Sequence, residues 1–261
     1  MNIIEEIKKK KEFSKLPDSI VERAAEMAKG DVKESRALLR KYFGVFLTNK
    51  VLKGKGDLLK SHMSSKKRDY EKFYGEIFSS GILAARGIPS ELETSKEVSS
   101  LSGNVGSVID LGAGLNGFSY GYLKEVVGEV NYLAVEAVGQ EVEHMNEYFE
   151  ENGFSAKAVV WDLFDVEKIK DLLKVQKKPR VVFMFQVVDA LENLERDFSK
   201  KFILEIAEEC EKIVLTLPTE SLGGRKKFAV RRKWIMDFLE ENFVIEKDFS
   251  RDGERIIVLR K

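Results

Sequence analysis

The sequence has few of the residues that disulfides and metal centres require. Its 261 residues include one cysteine, Cys210, and two histidines, His62 and His144. A single thiol cannot form a disulfide within the chain, and so few cysteine and histidine ligands argue against a transition-metal site built from the protein alone. We therefore expect no resident metal.

Long apolar runs are also missing. No stretch approaches the roughly 18 consecutive apolar residues of a membrane span, and the first residues, MNIIEEIKKKK, lack the apolar core of a signal peptide. Hydrophobic residues still make up 43% of the chain, which is enough for a substantial core. We expect a soluble, cytoplasmic protein without a membrane partner, and a monomer.

The net charge of the chain is zero, but the charged residues are unevenly distributed. The 44 Lys and Arg residues balance 44 Asp and Glu residues, but residues 1–100 carry 21 basic against 15 acidic side chains. Between Arg40 and Arg68 there are nine basic residues, opposed only by Asp57. This bias indicates either a polyanionic partner or a solvated, lysine-rich helical face, and charge alone does not separate the two.

The first hundred residues have a helical pattern and predict a separate helical, basic region. One helix is expected after Pro17 and ends at Gly30, a second is capped by Asp31 and ends near Gly44, and a third runs from about Ser65 to Ser79. The third helix carries an aromatic stripe, which we interpret as core rather than as a base-stacking surface: Tyr70, Phe73, Tyr74 and Phe78.

Residues 101–261 alternate between strands and helices and predict a second domain. Strands are expected from Ser107 to Leu111, Tyr132 to Glu136, Ala156 to Trp161, Arg180 to Phe185 and Lys212 to Leu217. Helices are expected between them and near Ala229 to Glu241. Such alternation indicates a parallel sheet covered on both faces. Two last strands, joined by a turn at Arg251-Asp252-Gly253, add an antiparallel hairpin, so the predicted fold is the Rossmann-like, seven-stranded α/β fold of class I methyltransferases.

A glycine-rich loop follows the first predicted strand. The run from Gly112 through Gly114 to Gly117 satisfies G-x-G-x-x-G, which is weak on its own and is compatible with a nicotinamide cofactor. Asp110, just before the glycines, fits S-adenosylmethionine better, because a carboxylate there can meet the amino-acid portion of that cofactor. A pyrophosphate instead favours a helix N-terminus without a nearby anion.

Two further acids end the next strands. Glu136 is placed to accept hydrogen bonds from ribose hydroxyls, and Asp162 to take the adenine amino group, with Leu163 against the ring. Each acid alone is more often a cap or a surface charge. Three acids at the carboxyl ends of successive strands together predict an S-adenosylmethionine site.

Two missing motifs restrict which atom of a substrate could accept a methyl group. After the fourth strand there is no D/N-P-P-Y run of the kind used to methylate exocyclic amines, and Cys210 reads as core rather than as a nucleophile. A guanine N7 acceptor has its own lone pair and needs neither device, so catalysis there depends on proximity and orientation.

Three segments resemble the 16S ribosomal RNA guanine-N7 methyltransferases that confer aminoglycoside resistance. HMSSKKR at 62–68 is similar to that family's H-x-S-[ST]-x-x-R run, DLGAGLN at 110–116 to its D-L-x-x-G-L-N loop, and PTESLGGR at 218–225 to its P-T-x-S-L-G-G-R run. They occur in the family's order. The chain departs from the family at Gly117, where proline is usual, and at Gln186, where a lysine near the target base is common.

The resemblance implies roles for individual residues. His62, Ser64 and Arg68 would meet the methionine end of the cofactor, with Arg68 pairing its carboxylate. Arg225 and Gln186 would border the cleft for a flipped base. The basic N-terminal region would dock on the small ribosomal subunit through phosphate contacts. His144, without a partner motif, is interpreted as an ordinary structural histidine.

The sequence therefore predicts an S-adenosylmethionine-dependent methyltransferase of 16S ribosomal RNA, acting on a guanine N7 near the decoding site. Three alternatives stay open. They are a class I methyltransferase for another RNA, a catalytically silent RNA-binding relative, and, last, a nicotinamide oxidoreductase.

Overall fold

The N-terminal part of the chain is helical. The computed structural model describes residues 2–43, 59, 66–79, 105–219 and 232–261. The helices before the sheet are α1 (Ile3–Lys8), α2 (Asp18–Met27), α3 (Val32–Phe43) and α4 (Tyr70–Phe78), with a 3-10 turn at Lys11–Phe13. Asp31 caps α3 as predicted, since its Oδ1 accepts the Glu34 N–H at 2.7 Å. Helix α4 begins later than predicted, because Asp69 accepts the Lys72 N–H and acts as its cap.

Seven strands form one sheet in the order β3-β2-β1-β4-β5-β7-β6. They are β1 (Ser107–Leu111), β2 (Asn131–Glu136), β3 (Ala156–Val160), β4 (Arg180–Phe185), β5 (Lys212–Pro218), β6 (Val244–Arg251) and β7 (Glu254–Arg260). Strands β1 to β5 pair in parallel, and β7 runs antiparallel to both β5 and β6. The predicted mostly parallel sheet with a C-terminal antiparallel hairpin is confirmed.

Helices connect the strands. They are α5 (Tyr120–Val127), α6 (Gly139–Glu151), α7 (Val166–Lys174), α8 (Val187–Leu194), α9 (Phe198–Ala207) and α10 (Lys233–Asn242). A 3-10 turn, Asn116–Ser119, lies between the glycine loop and α5. The short helices α1 and α8 were not predicted from the sequence.

Both faces of the sheet are covered by apolar clusters. In β1, Ile109 and Leu111 belong to one cluster and Val108 to the other, as expected where side chains alternate between faces. Strands buried on both faces are hydrophobic along their whole length, which explains why they were recognisable in the sequence.

The aromatic stripe of α4 is core, as predicted. All four rings are buried and join the cluster on one face of the sheet, where Tyr74 stacks on Phe183 at 6.0 Å between ring centroids. Lys247 of β6 holds the end of this helix, donating from Nζ to the backbone oxygens of Glu76 at 2.6 Å and Ser79 at 3.0 Å. Helix α4 thus packs with the sheet, while the division into domains at residue 100 stays a prediction.

The first three helices have a small core of their own. Ile7, Phe13, Val21 and Leu39 are fully buried there, together with Val138 from the loop after β2. Val138 therefore attaches this unit to the sheet. No helix within the described residues combines the length and apolar content that crossing a membrane requires.

Candidate functional site

A cavity of about 300 Å³ opens at the carboxyl ends of β1 to β4. Parallel sheets bind ligands at this edge, where the strand order reverses next to β1. The predicted site residues that line it are Arg68, Gly112, Gly114, Glu136, Asp162, Leu163 and Gln186. Asp110 lies beneath the cavity and is fully buried. His62, Ser64 and Arg225 fall outside the described residues.

The glycine loop follows the wall of the cavity closely. Gly112 and Gly114 have φ values of 69° and 50°, in the left-handed region that side chains rarely adopt. A Cβ on Gly112 would lie 2.7 Å from Val187 Cγ2, at the start of α8. The backbone N–H groups of Gly112 and Ala113 donate to the Val135 oxygen, so the loop is anchored to β2. Glycine at position 112 is therefore required by conformation and by space.

Glu136 braces this loop from the end of β2. Its Oε2 accepts the Gly114 N–H at 2.9 Å, and its Oε1 accepts the N–H groups of Ala137 at 2.8 Å and Val138 at 3.0 Å. Burial raises the pKa of Glu136, although these three bonds act in the opposite direction. The carboxylate thus shapes the loop and also presents an edge to the cavity.

Asp162 connects the third strand to the N-terminal helices. Its Oδ1 accepts the Phe164 N–H at 2.9 Å, and its Oδ2 accepts the Ser19 hydroxyl at 2.7 Å. Leu163 lies beside it on the cavity wall. Asp162 and Leu163 therefore lie side by side on the cavity wall, and their contact with an adenine ring stays a prediction.

Asp110 is the most strongly buried of the three acids. Its Oδ2 accepts hydrogen bonds from Asn116 Nδ2 and from the Tyr132 hydroxyl, both at 2.7 Å. Its Oδ1 is buried without a hydrogen-bond partner among the described residues. Burial raises the pKa of Asp110 to about 6, and the two hydrogen bonds only partly oppose this.

Arg68 is held by an acid that the sequence reasoning missed. Its Nε and Nη2 donate to the two carboxylate oxygens of Glu254 at 2.9 and 2.8 Å, and its Nη1 donates to Asn116 Oδ1 at 3.1 Å. Burial by itself lowers the pKa of Arg68, but the charge and hydrogen bonds of Glu254, together with the nearby Tyr70 and Tyr74, outweigh it and keep the pKa above its ordinary value. The only sequence signal was an acid directly after the Asp-Gly turn of the hairpin.

The N-terminal helices form one wall of the cavity, a feature that was also missed. Ile20 of α2 and the end of α3, Lys41 to Phe43, line the cavity opposite the glycine loop. The Tyr42 hydroxyl donates to the Asn193 oxygen of α8 at 3.0 Å. Arg23 forms an ion pair with Glu195 at 2.9 Å, which ties α2 to the same region. Amphipathic spacing predicted these helices without showing which surface they would cover.

Gln186 lies at the junction of β4 and α8 in a left-handed conformation, with φ 59° and ψ 21°. Its N–H donates to the Thr216 oxygen and hydroxyl at 3.2 and 3.1 Å. Its side-chain amide lines the cavity and has no hydrogen-bond partner within the described ranges. A non-glycine residue held in a left-handed conformation beside a cavity is a sign of function.

The remaining reactive side chains lie elsewhere. Cys210 precedes β5, at the edge of the sheet opposite the cavity, and burial raises the pKa of its thiol to about 12. This argues against a nucleophilic role, as predicted. His144 is paired with Glu147 Oε2 at 3.3 Å.

Comparison with known proteins gives structural but not sequence matches. No protein-family model matches the chain, and no curated protein matches it. The structure of the 16S rRNA methylase RmtB superposes with a TM-score of 0.68 at 18% identity, covering 100% of this chain and 99% of that one.

Two further solved structures match over nearly the whole chain. An rRNA methylase from Escherichia coli gives a TM-score of 0.66 at 16% identity over 99% of this chain and 98% of its own. The 16S rRNA methyltransferase RmtF, in complex with S-adenosyl-L-homocysteine, gives 0.60 at 18% identity over 99% and 96%. With the strand order observed here, these similarities identify the fold of the chain as that of the class I S-adenosylmethionine-dependent methyltransferases.

Proposed function

We propose that this protein is an S-adenosylmethionine-dependent methyltransferase that modifies 16S ribosomal RNA in the small ribosomal subunit, at the N7 of a guanine near the decoding site. The observation that carries the proposal is the cavity at the strand ends, where Arg68, Glu136 and Asp162 converge around a glycine loop. The structural match to 16S rRNA methylases extends over the N-terminal helices as well as the sheet, which supports an RNA substrate.

The residues of the cavity fit this cofactor. Its volume of about 300 Å³ lies within the range of small-molecule sites. Leu163, Val187 and Leu191 supply an apolar surface for an adenine ring, with the Asp162 carboxylate at its edge. Elsewhere on the wall, the guanidinium of Arg68 matches the carboxylate of an amino-acid group, and the unpartnered Oδ1 of Asp110, buried beneath the cavity, supplies negative charge that favours the ammonium. Bound there, the cofactor would supply an electrophilic methyl group on a sulfonium.

A nicotinamide cofactor is less well supported. Dinucleotide-binding sheets typically have the order 3-2-1-4-5-6 with parallel strands, whereas here the antiparallel β7 is inserted between β5 and β6. The glycine loop also leads into a buried 3-10 turn rather than directly into the helix N-terminus that a pyrophosphate would occupy.

The protein's contribution to the reaction is positioning. A guanine N7 carries its own lone pair, so no side chain has to remove a proton before attack. Gln186 lines the cavity, where its side-chain amide can hydrogen-bond the edge of an acceptor base. The family resemblance implies that Arg225 also borders the cleft for the base. It implies that His62 and Ser64 meet the methionine end of the cofactor. A variant Gln186→Ala should therefore lower kcat for RNA while leaving cofactor affinity within about twofold.

Docking is assigned to the basic N-terminal region. Helix α3 ends in the basic residues Arg40 and Lys41, and Lys41 lines the cavity, so phosphate contacts there would bring RNA to the site. Such binding should weaken steeply with salt. We also propose that the protein acts as a cytoplasmic monomer.

A binding experiment separates the cofactor classes. Calorimetry with S-adenosylhomocysteine and with NAD⁺ should show binding of the first only, and Glu136→Gln should weaken it about tenfold by losing a charged acceptor. The exposed Glu143→Gln serves as the matched control. No binding of S-adenosylhomocysteine would refute the proposal.

A transfer experiment identifies the substrate. The protein is incubated with methyl-labelled S-adenosylmethionine and intact small subunits, free 16S rRNA or transfer RNA. Methylated sites are then mapped by borohydride and aniline cleavage, which reports N7-methylguanosine. Label in 16S rRNA without cleavage would refute the N7 assignment, label only in transfer RNA would refute the ribosomal target, and no label in any RNA would leave the silent RNA-binding relative.

A further inference from the structure

The turn of the C-terminal hairpin touches two segments that are far apart in the sequence. Asp252 Oδ2 accepts the N–H of Asp69 at 3.1 Å, and the Gly253 oxygen accepts the N–H of Thr219 at 2.8 Å. Glu254, the next residue, holds Arg68 through two hydrogen bonds. The turn therefore fixes both the residue that ends the HMSSKKR segment and the start of the PTESLGGR segment.

Arg68 keeps donors available for a ligand while it is held. A guanidinium has five N–H donors, of which two go to Glu254 and one to Asn116. The other two have no acceptor among the described residues, and Arg68 lines the cavity. The rings of Phe73 and Phe185 lie 4.9 and 5.1 Å from the guanidinium carbon and restrict its tilt.

The orientation of Arg68 depends on Glu254. The two side chains are only 4% and 3% exposed, so water cannot replace the carboxylate if it is removed. A buried guanidinium without its counter-charge would turn toward another acceptor, such as Asp110 beyond Asn116. Side-on binding by both oxygens of Glu254 thus sets the plane in which the two remaining donors point.

We propose that Glu254 is a positioning residue, which orients Arg68 so that its free donors meet the carboxylate of an amino-acid-bearing adenosine ligand. This inference rests on the proposed function, because it assumes that the ligand carries a methionine-type carboxylate. It adds a role for the hairpin turn, which none of the three motif segments contains.

Two ligands that differ only in the amino-acid portion test the idea. Calorimetry is done with S-adenosylhomocysteine and with 5′-methylthioadenosine, which lacks the carboxylate and the ammonium. Glu254→Gln keeps the shape but places an amide N–H₂ against the arginine donors. It should weaken S-adenosylhomocysteine about ten- to hundredfold, as expected for loss of charge-assisted hydrogen bonds, and change 5′-methylthioadenosine by less than about twofold.

Control variants separate positioning from folding. Glu246→Gln removes the acid of another ion pair on the same hairpin, formed with Lys212 at the far end of the sheet, and should change neither affinity. Glu254→Asp keeps the charge and provides a milder change if the amide variant does not fold, with a smaller loss confined to S-adenosylhomocysteine. In the double variant Arg68→Gln/Glu254→Gln, the second substitution should add nothing to the first.

The outcomes are distinct. An equal loss for both ligands, no loss for either, or additive losses in the double variant would overturn the role of Glu254. Wild-type protein that binds neither ligand would overturn the proposed function itself. Wild-type protein that binds both ligands with equal affinity would leave the cofactor site standing and overturn the carboxylate contact.

Discussion

Asp110 should destabilise the ligand-free protein at neutral pH, and Asp110→Asn should reveal by how much. Burial raises the pKa of this carboxyl from its ordinary value of 3.8 to about 6. The folded state therefore holds the proton more tightly than the unfolded state, and this contribution to stability is present at low pH and lost as the pH rises through about 6. At about 1.4 kcal/mol per pKa unit, the shift amounts to about 3 kcal/mol.

The neutral variant should escape this penalty. Its amide oxygen can still accept from Asn116 and Tyr132, so the local hydrogen bonds are retained. We expect Asp110→Asn to unfold with a free energy about 3 kcal/mol higher than wild type at pH 8, and with no gain near pH 4. The same variant should bind S-adenosylhomocysteine more weakly, since it lacks the charge that would meet the ligand's ammonium.

Urea denaturation at the two pH values measures this directly. The exposed Asp171→Asn, whose side chain is 74% exposed and pairs with Lys174, is the matched control and should change neither value. If Asp110→Asn is no more stable than wild type at pH 8, or if its gain is as large at pH 4, the assignment of the penalty to this buried charge is wrong.

Three further predictions concern packing and buried charge. Glu141→Met should raise the free energy of unfolding by about 1–3 kcal/mol at pH 8. Both carboxylate oxygens of Glu141 are buried without partners among the described residues, and burial raises its pKa well above the ordinary value. Urea denaturation that shows no gain, or a larger gain at pH 4, would contradict this. Gly117→Ala should lower the free energy of unfolding by about 1–3 kcal/mol, because the added methyl group overpacks against Met145 Sδ. This loss should largely vanish in a Met145→Ala background. Additive losses in a double-mutant cycle would contradict the contact. Lys247→Met should lower the unfolding free energy by about 1–3 kcal/mol, because the ammonium no longer caps the end of α4; an unchanged melting temperature would show that water replaces it.

The central strands of the sheet could be predicted because they are buried on both faces. Arg180–Phe185 is apolar after its first residue, and its boundaries matched the prediction. Helix α8 was not predicted, because it follows the apolar strand β4 after a single residue. That residue, Gln186, is not a residue type that signals a turn in the sequence. Only its left-handed backbone, visible in three dimensions, separates the two elements.

The positions of site residues could be predicted where the residue directly follows a strand. Glu136 and Asp162 end successive strands, so parallel topology alone brings them to one edge. Glu254 lies 186 residues from Arg68, and no local pattern encodes their pairing. Gly117 shows the same limit, because only the structure places Met145 Sδ where a Cβ at position 117 would lie.

Because the N-terminal helices form one wall of the cavity, the sheet and its own helices do not contain the whole site. A fragment that starts after Phe43 would keep the sheet but lose Ile20, Tyr42 and the Ser19 contact with Asp162, leaving this side of the cavity open to water. The smallest unit able to retain a small ligand is therefore larger than the sheet and its own helices. Removing the N-terminal helices should weaken cofactor binding too, so a truncated protein that fails to modify ribosomes would not by itself show that these helices contact RNA.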